Sequence, residues 1–298
     1  MGKYDLKPDD IKTGINRILS EAFATSNVSD APTIEYIAAG PGAGKTAIER
    51  YLKCKYKSKG ERAYDINSDK IATFHPKYED ALEELPDECY KITRQFVRPA
   101  APKIFDELRK YKISIINENT LDKGISDIEI AKKFKESGYR LCVNIMATNL
   151  YESMLSCYER EANTLEEGLT PRGCSIENQL RMHDSFINGV KELERLGLLD
   201  EINVYVRGAN KSKPPILKYQ KGSSNYENFV DAIHTERTKQ IKNLLKKPEI
   251  FLERIEQTKK RIMVNNPNKE QKQNSINGLN YLRSEFLKEL AKENNLTK

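Results

Sequence analysis

The sequence has no apolar run long enough to span a bilayer, and its opening, MGKYDLKPDD, lacks the hydrophobic stretch of a signal peptide. Neither a transmembrane helix nor export is expected, and the expected setting is the cytoplasm. Gly2 follows Met1, but Lys3 and Tyr4 come next and no second membrane signal accompanies them, so no lipid anchor is expected. Cysteine is scarce and unpatterned. Cys54, Cys89, Cys142, Cys157 and Cys174 form no C-x-x-C pair, which argues against a disulfide frame or a zinc site and reads as reduced intracellular thiols. The three histidines, His75, His183 and His234, are too dispersed for a metal cluster. There is also no internal repeat, no long low-complexity tract and no sustained heptad.

What is present suits a globular protein with a wet surface. The 298 residues are 38% hydrophobic and 32% charged, enough for one large α/β domain, or a domain with an appendage, around a sizeable core. The net charge of +6 is unevenly placed. Residues 211–298 hold 19 Lys and Arg against 10 Asp and Glu, and the rest of the chain is slightly acidic. The tail charges alternate in sign along helical patterns and lack interleaved aromatics. They describe a solvated helix face rather than a grip on nucleic acid or membrane.

Hydrophobic periodicity predicts a helix over Lys7–Ala24, a strand over Thr33–Ala39 and a helix from about Lys45. A strand at Arg62–Asn67, a helix near Pro99–Lys110 and a strand at Lys112–Asn117 follow. Next come a helix at Ser126–Ser137, a strand at Arg140–Ala147 and a helix at Leu150–Glu161. A long helix over Ser175–Leu196, capped by Ser175 and stopped by Gly197, precedes a last strand at Ile202–Val206. β-branched strands with helical crossovers predict a parallel sheet covered by helices on both faces. Beyond Gly208 only helices are expected. The domain expectation is an N-terminal helical segment (1–30), a P-loop kinase-like domain (31–210) and a basic helical extension (211–298).

The stretch AGPGAGKT lies between a buried strand and a helix start, where a phosphate cradle belongs. The cradle comprises Gly40, Pro41, Gly42, Ala43 and Gly44, and its glycines let backbone N–H groups approach phosphate oxygens closely. Lys45 would bridge the β- and γ-phosphates of ATP, and the Thr46 hydroxyl would take one Mg²⁺ position. Ala39 stands where the consensus has Gly, which is tolerable if its φ stays negative. Two carboxylates stand at the ends of the next two predicted strands, Asp69 after YDINS and Glu118 closing ISIINE. In a doubly wound sheet such positions border the ligand crevice, so either can take a proton from an attacking hydroxyl or hold Mg²⁺ through water. Arg160, in CYEREA, and Arg172, in EEGLTPRG, are candidate cations for the transferring group. No strand ends in DxxG and no NKxD follows, which argues against a GTPase.

The ordered blocks GPGAGKT, NSDKIATFHP, INENT, GYRLCVNIMAT, YEREA, LTPRG and ELERLGLLDEINVYVRG resemble the zeta toxin family, the kinase toxins of bacterial toxin–antitoxin pairs. The resemblance runs from about Thr33 to Arg207, with a weaker echo at LERIEQ. It implies a P-loop kinase that moves the ATP γ-phosphate to a sugar hydroxyl, typically the 3′-hydroxyl of UDP-N-acetylglucosamine, and that is restrained by a small helical antitoxin. Carried over by position, Lys45 and Thr46 hold nucleotide and Mg²⁺, and Asp69 is the general base. Glu118 and Thr120 contact the acceptor, and Arg160 binds phosphate. Three positions depart from the family pattern. Asp122, beside Lys123, stands for an arginine, and Gly168 for a second phosphate-binding arginine, with Arg172 or Arg181 nearby as substitutes. Pro102 stands for a carboxylate that contacts the amino sugar. Losing two charge-assisted hydrogen bonds of about 1.5–3 kcal/mol each would weaken the usual acceptor, so a small hydroxyl acceptor of another kind, such as NAD, stays open. RNA as acceptor, or a nucleotide-binding module without transfer, stays open as well.

Overall fold

The computed structural model describes residues 3–85, 88–119, 121–122, 124–171, 175–210, 213–222 and 225–296. In chain order the elements are α1 (Pro8–Thr25), β1 (Thr33–Ala38), α2 (Lys45–Ser58), β2 (Tyr64–Ile66), α3 (Ser68–Ala72), α4 (Tyr78–Glu84) and α5 (Cys89–Lys110). They continue with β3 (Ile115–Glu118), α6 (Ile125–Glu136), β4 (Arg140–Met146), α7 (Leu150–Glu166), α8 (Ile176–His183), α9 (Ser185–Arg195) and β5 (Glu201–Val206). The chain closes with β6 (Ile216–Gln220), α10 (Phe229–Lys246), α11 (Pro248–Asn265) and α12 (Lys269–Leu296). The strands form one sheet in the order β2-β3-β1-β4-β5-β6. The pairs β1–β3, β1–β4 and β2–β3 are parallel, with Ile37 opposite both Glu118 and Asn144. β1 and β4 are almost wholly buried, which is what continuous apolar runs in a sheet covered on both faces require.

Two compact units divide the chain. The first comprises Met1–Ala38, Thr46–Ile145 and Ile187–Asn203; the second comprises Ala39–Lys45, Met146–Phe186 and Val204–Lys298. In the first, α1 starts with Pro8 in its first turn, and the Asp10 carboxylate accepts from the Lys7 N–H at 2.9 Å. Gly14 gives the Phe96 ring of α5 room, since a Cβ there would lie 2.5 Å from it. In the second, α7, α11 and α12 enclose a core of Met154, Leu155, Tyr158, Phe251, Ile255, Leu282 and Phe286. The Phe251 and Phe286 rings lie 4.6 Å apart.

Four differences from the sequence expectations stand out. The helix expected over Ser175–Leu196 is two helices. Ser175 does cap the first, accepting from the Asn178 N–H at 3.2 Å, but Asp184 leaves helical geometry, and its carboxylate is engaged by Arg237. A strand, β6, follows Gly208. It is short and its Ile216 and Leu217 are exposed, so it carries little of the alternation that marks a half-buried strand. α5 begins ten residues before Pro99 and runs through both Pro99 and Pro102. The tail is not all solvated face either, because Arg237 of α10 is only 7% exposed. No helix among the described residues is long and apolar enough to cross a membrane.

The close approach of α12 to α7 depends on Gly278, where a Cβ would lie 1.8 Å from the Tyr158 hydroxyl oxygen and 2.5 Å from its ring. Gly278→Ala should therefore destabilise the protein by about 1–3 kcal/mol through overpacking. The check is the midpoint of urea unfolding at unchanged slope; an unshifted midpoint would mean that Tyr158 moves aside freely.

Candidate active site

The loop after β1 is shaped by its glycines. Gly42 and Gly44 have φ of +70° and +106°, in the region that L side chains rarely adopt. A Cβ on Gly42 would lie 2.1 Å from the Ser153 carbonyl oxygen, and one on Gly40 would lie 3.0 Å from the His183 Cα. Ala39 is buried and is not among the residues with positive φ, so alanine is accommodated there without backbone strain. Lys45 folds back, its Nζ donating to the carbonyls of Ala39 at 3.2 Å and Gly40 at 3.1 Å. α2 opens at Lys45, and the first-turn N–H groups of a helix lack intrahelical acceptors and favour an anion.

The loop's carbonyls are held by side chains of the second unit. Ser153 Oγ donates to Pro41 O at 2.6 Å, and Thr148 Oγ1 donates to Ala43 O at 2.7 Å. Arg207 donates through Nε to Ala43 O at 3.1 Å and through Nη2 to Gly42 O. In a planar trans peptide the C=O and the next N–H point opposite ways. Anchoring the carbonyls of Pro41 and Ala43 therefore turns the N–H groups of Gly42 and Gly44 away from these side chains, where an anion can meet them.

A second layer holds the first. Arg237 Nε donates to Thr148 O at 3.1 Å, while its Nη1 pairs with Asp184. Gln240 donates to Ala147 O at 2.6 Å and accepts from the Asn149 N–H at 3.0 Å. Arg207 also pairs with Glu152 at 3.6 Å, and Glu152 is gripped by Arg254 at 2.7 and 3.2 Å. Burial pulls the Arg207 guanidinium below its ordinary value, opposed by the nearby Glu152 carboxylate. His183 is lowered to about 4, first by burial and then by the Arg237 charge, so it is neutral near pH 7.

The acceptor-side candidates divide. Asp69 is exposed in the first turn of α3, whose cap is Asn67, accepting from the Lys70 N–H at 2.7 Å. Glu118 ends β3 and is half-buried. The two carboxylates thus follow adjacent parallel strands of the first unit. Arg160 lies exposed on α7 and Arg181 exposed on α8. Thr120, Lys123 and Arg172 lie outside the described residues. Asp122 is exposed and follows Leu121, which is buried at φ +49°. Gly189 makes room for Leu121, since a Cβ there would lie 1.7 Å from its carbonyl oxygen. Pro102 is exposed within α5.

Gly168 has a structural explanation. Its N–H donates to Leu165 O at 3.0 Å, the Leu169 N–H donates to Thr164 O at 3.0 Å, and its φ is +72°. This paired closure ends α7 and favours glycine. Sequence reasoning missed Thr148, Ser153, Arg207, Arg237 and Gln240. Only Thr148, the last residue of the block GYRLCVNIMAT, and Arg207, next to last in ELERLGLLDEINVYVRG, had a signal.

Removing the Thr148 hydroxyl should loosen the loop without unfolding the chain. Thr148→Val is expected to weaken ATP binding about fivefold to tenfold, corresponding to about 1 kcal/mol for one hydrogen bond. Gly42→Ala should abolish binding. Titration calorimetry measures both, and wild-type affinity in Thr148→Val would show that the loop keeps its shape unaided.

A family model described as zeta toxin matches residues 16–213. No functionally curated protein matches the sequence. Among solved structures, one from the PezAT chromosomal toxin–antitoxin system of Streptococcus pneumoniae aligns with a TM-score of 0.68 at 18% identity, covering 87% of this chain and 100% of that one. The native AvrRxo1-ORF1:-ORF2 complex aligns with a TM-score of 0.54 at 14% identity, covering 93% of this chain and 85% of that one. A structure of that complex with ATP aligns at 0.50 and 12% identity, covering 92% and 82%. These likenesses extend to the fold, while the match over residues 16–213 takes in the phosphate loop, the candidate carboxylates Asp69 and Glu118, and Arg207, so this chain belongs to the zeta toxin family of P-loop phosphotransferases.

Proposed function

We propose that the protein transfers the γ-phosphate of ATP to a sugar hydroxyl, with the 3′-hydroxyl of UDP-N-acetylglucosamine or of a related nucleotide-sugar as acceptor. It acts as the toxin of a toxin–antitoxin pair, with a small helical antitoxin as partner. The observation that carries the reading is the loop at Gly40–Lys45, with left-handed Gly42 and Gly44 and carbonyls anchored by Ser153, Thr148 and Arg207, in a zeta toxin chain. Lys45 would leave its carbonyl partners for the phosphates, adding positive charge as the γ-phosphoryl group moves.

The Thr46 hydroxyl, in the first turn of α2, would hold Mg²⁺, which neutralises phosphate charge when bound. Asp69 would accept the proton of the attacking hydroxyl; its exposure in α3 leaves it open to an incoming acceptor. Glu118 and Thr120 would position the acceptor, and Arg160 and Arg172 would counter the charge of the transferring group. A second reading keeps the same donor chemistry with another hydroxyl-bearing acceptor such as NAD. It is favoured by Asp122, Pro102 and Gly168, which supply none of the charges the family uses at those places.

Lys45→Ala and Asp69→Asn should each reduce transfer by at least roughly 10²-fold, the scale of a lost general base or phosphate clamp. Asp69→Asn should leave ATP affinity near wild type, because only the proton acceptor is removed. Labelled ATP with a panel of nucleotide-sugars, NAD and RNA reads both the rate and the acceptor. Loss of ATP binding in Asp69→Asn would sink the role given to Asp69, and transfer to none of the panel would sink the kinase reading.

A further inference from the structure

Three neighbouring strands of the first unit carry polar residues on a sheet face where a buried parallel sheet is ordinarily apolar. Thr33 and Glu35 on β1, Cys142 and Asn144 on β4, and Glu201 and Asn203 at the start of β5 are each two residues apart, so each pair shares a face. Glu35 stands opposite Cys142 in the β1–β4 register. The stripe is linked side chain to side chain. Asn144 Nδ2 donates to Glu35 Oε2 at 2.8 Å, and Asn203 Nδ2 donates to Asn144 Oδ1 at 3.2 Å and to Glu201 Oε1 at 2.7 Å.

A cavity of about 150 Å³ opens over this stripe. Glu35, Cys142, Glu201 and Thr33 line it from the sheet, Lys55 and Tyr56 from α2 and Lys59 just beyond it, with Arg140 at the start of β4. Its floor is rich in acceptors. Glu35 is 4% exposed, burial raises its carboxyl above the usual range against the bond from Asn144, and the Oδ1 of the neighbouring buried Asn203 has no partner among the described residues. The rim carries three cations, Lys55, Lys59 and Arg140, beside one carboxylate, Glu61. Arg140 reaches Glu201 at 3.3 Å, whereas Lys55 and Lys59 form no ion pair with a described residue. A buried carboxylate in the strand TIEYIA costs stability unless something is gained by it.

We propose that this cavity binds a small zwitterion of the free α-amino-acid class, its ammonium on the carboxylates of Glu35 and Glu201 and its carboxylate on Lys55, Lys59 and Arg140. An ammonium brings three donors and no acceptor to a floor that offers acceptors, and a carboxylate does the reverse for the rim. A free phosphate would set its charge against Glu35 and Glu201, and a simple amine would leave the rim cations unanswered. The volume equals that of about five water molecules, which suits a small amino acid and excludes a nucleotide. Nothing in this site belongs to the phosphate loop or to the residues assigned to transfer.

The test uses the full chain and calorimetric titration with glycine, alanine, serine and threonine. N-acetyl derivatives, which lack the ammonium, and the matching amino alcohols, which lack the carboxylate, serve as controls. At least one amino acid should bind with a dissociation constant of about 1 mM or tighter, and both blocked forms should bind at least about tenfold more weakly. Glu35→Gln should lose at least tenfold in affinity with ATP affinity unchanged; where it does not fold, the rim change Lys55→Ala with Lys59→Ala, at a half-buried and an exposed position, must weaken binding instead. The proposal is overturned if no amino acid saturates the protein by about 10 mM, leaving a water-filled cavity, or if these variants bind as wild type does. Equal binding of the N-acetyl forms also overturns it.

Discussion

The phosphate loop is a short stretch of backbone held in a conformation it would not keep alone. Gly42 and Gly44 make the left-handed turns permissible, but permission does not select one conformation from many. Selection comes from donors placed against the carbonyls of Pro41, Gly42 and Ala43, each ending a chain of further contacts. Because a peptide is planar, fixing the carbonyls fixes the N–H groups, and the anion-binding character of the loop follows from contacts made away from the anion. Preorganisation of this kind lowers the ordering cost of binding a phosphate.

That dependence gives the C-terminal helices a place in the donor site. The family match ends at residue 213, yet Arg237, Gln240 and Arg254 lie beyond it. Arg237 and Gln240 grip the backbone of residues 147–149, from which Thr148 reaches Ala43. Arg254 holds Glu152, which pairs with Arg207. A buried arginine such as Arg237 is retained only where paired and hydrogen-bonded, and it has the Asp184 carboxylate and the Thr148 carbonyl for this. In composition the same residues are part of an alternating basic tail.

The contrast shows what the sequence made legible. The loop, the positions of five strands along the chain and the crossover helices could be read because each is dictated locally, by glycine placement, apolar runs and caps such as Ser175. The break at Asp184 and the role of Arg237 could not, because both depend on a contact between residues 53 positions apart. β6 escaped because an exposed edge strand need not alternate, and α5 was read short because proline inside a helix is ordinarily a boundary. The polar stripe from Glu35 to Asn203 was equally hidden. Its residues are single polar interruptions in otherwise apolar strands, and only the sheet aligns them.

The three departures from the family pattern change meaning in the same way. Read as a string, Gly168 is a lost arginine. Folded, it is the residue that ends α7, and an arginine there would have to adopt a left-handed backbone. Asp122 follows a buried leucine held at positive φ, a conformation that Gly189 makes room for, so its setting is prescribed by backbone as well. Pro102 lies within an α5 that continues for eight further residues to Lys110, with its side chain exposed. At Gly168 the left-handed backbone disfavours a longer side chain, whereas Asp122 and Pro102 are exposed. The phosphate loop, by contrast, rests on carbonyls held by Ser153, Thr148 and Arg207, so its geometry is fixed by contacts rather than by its glycines alone.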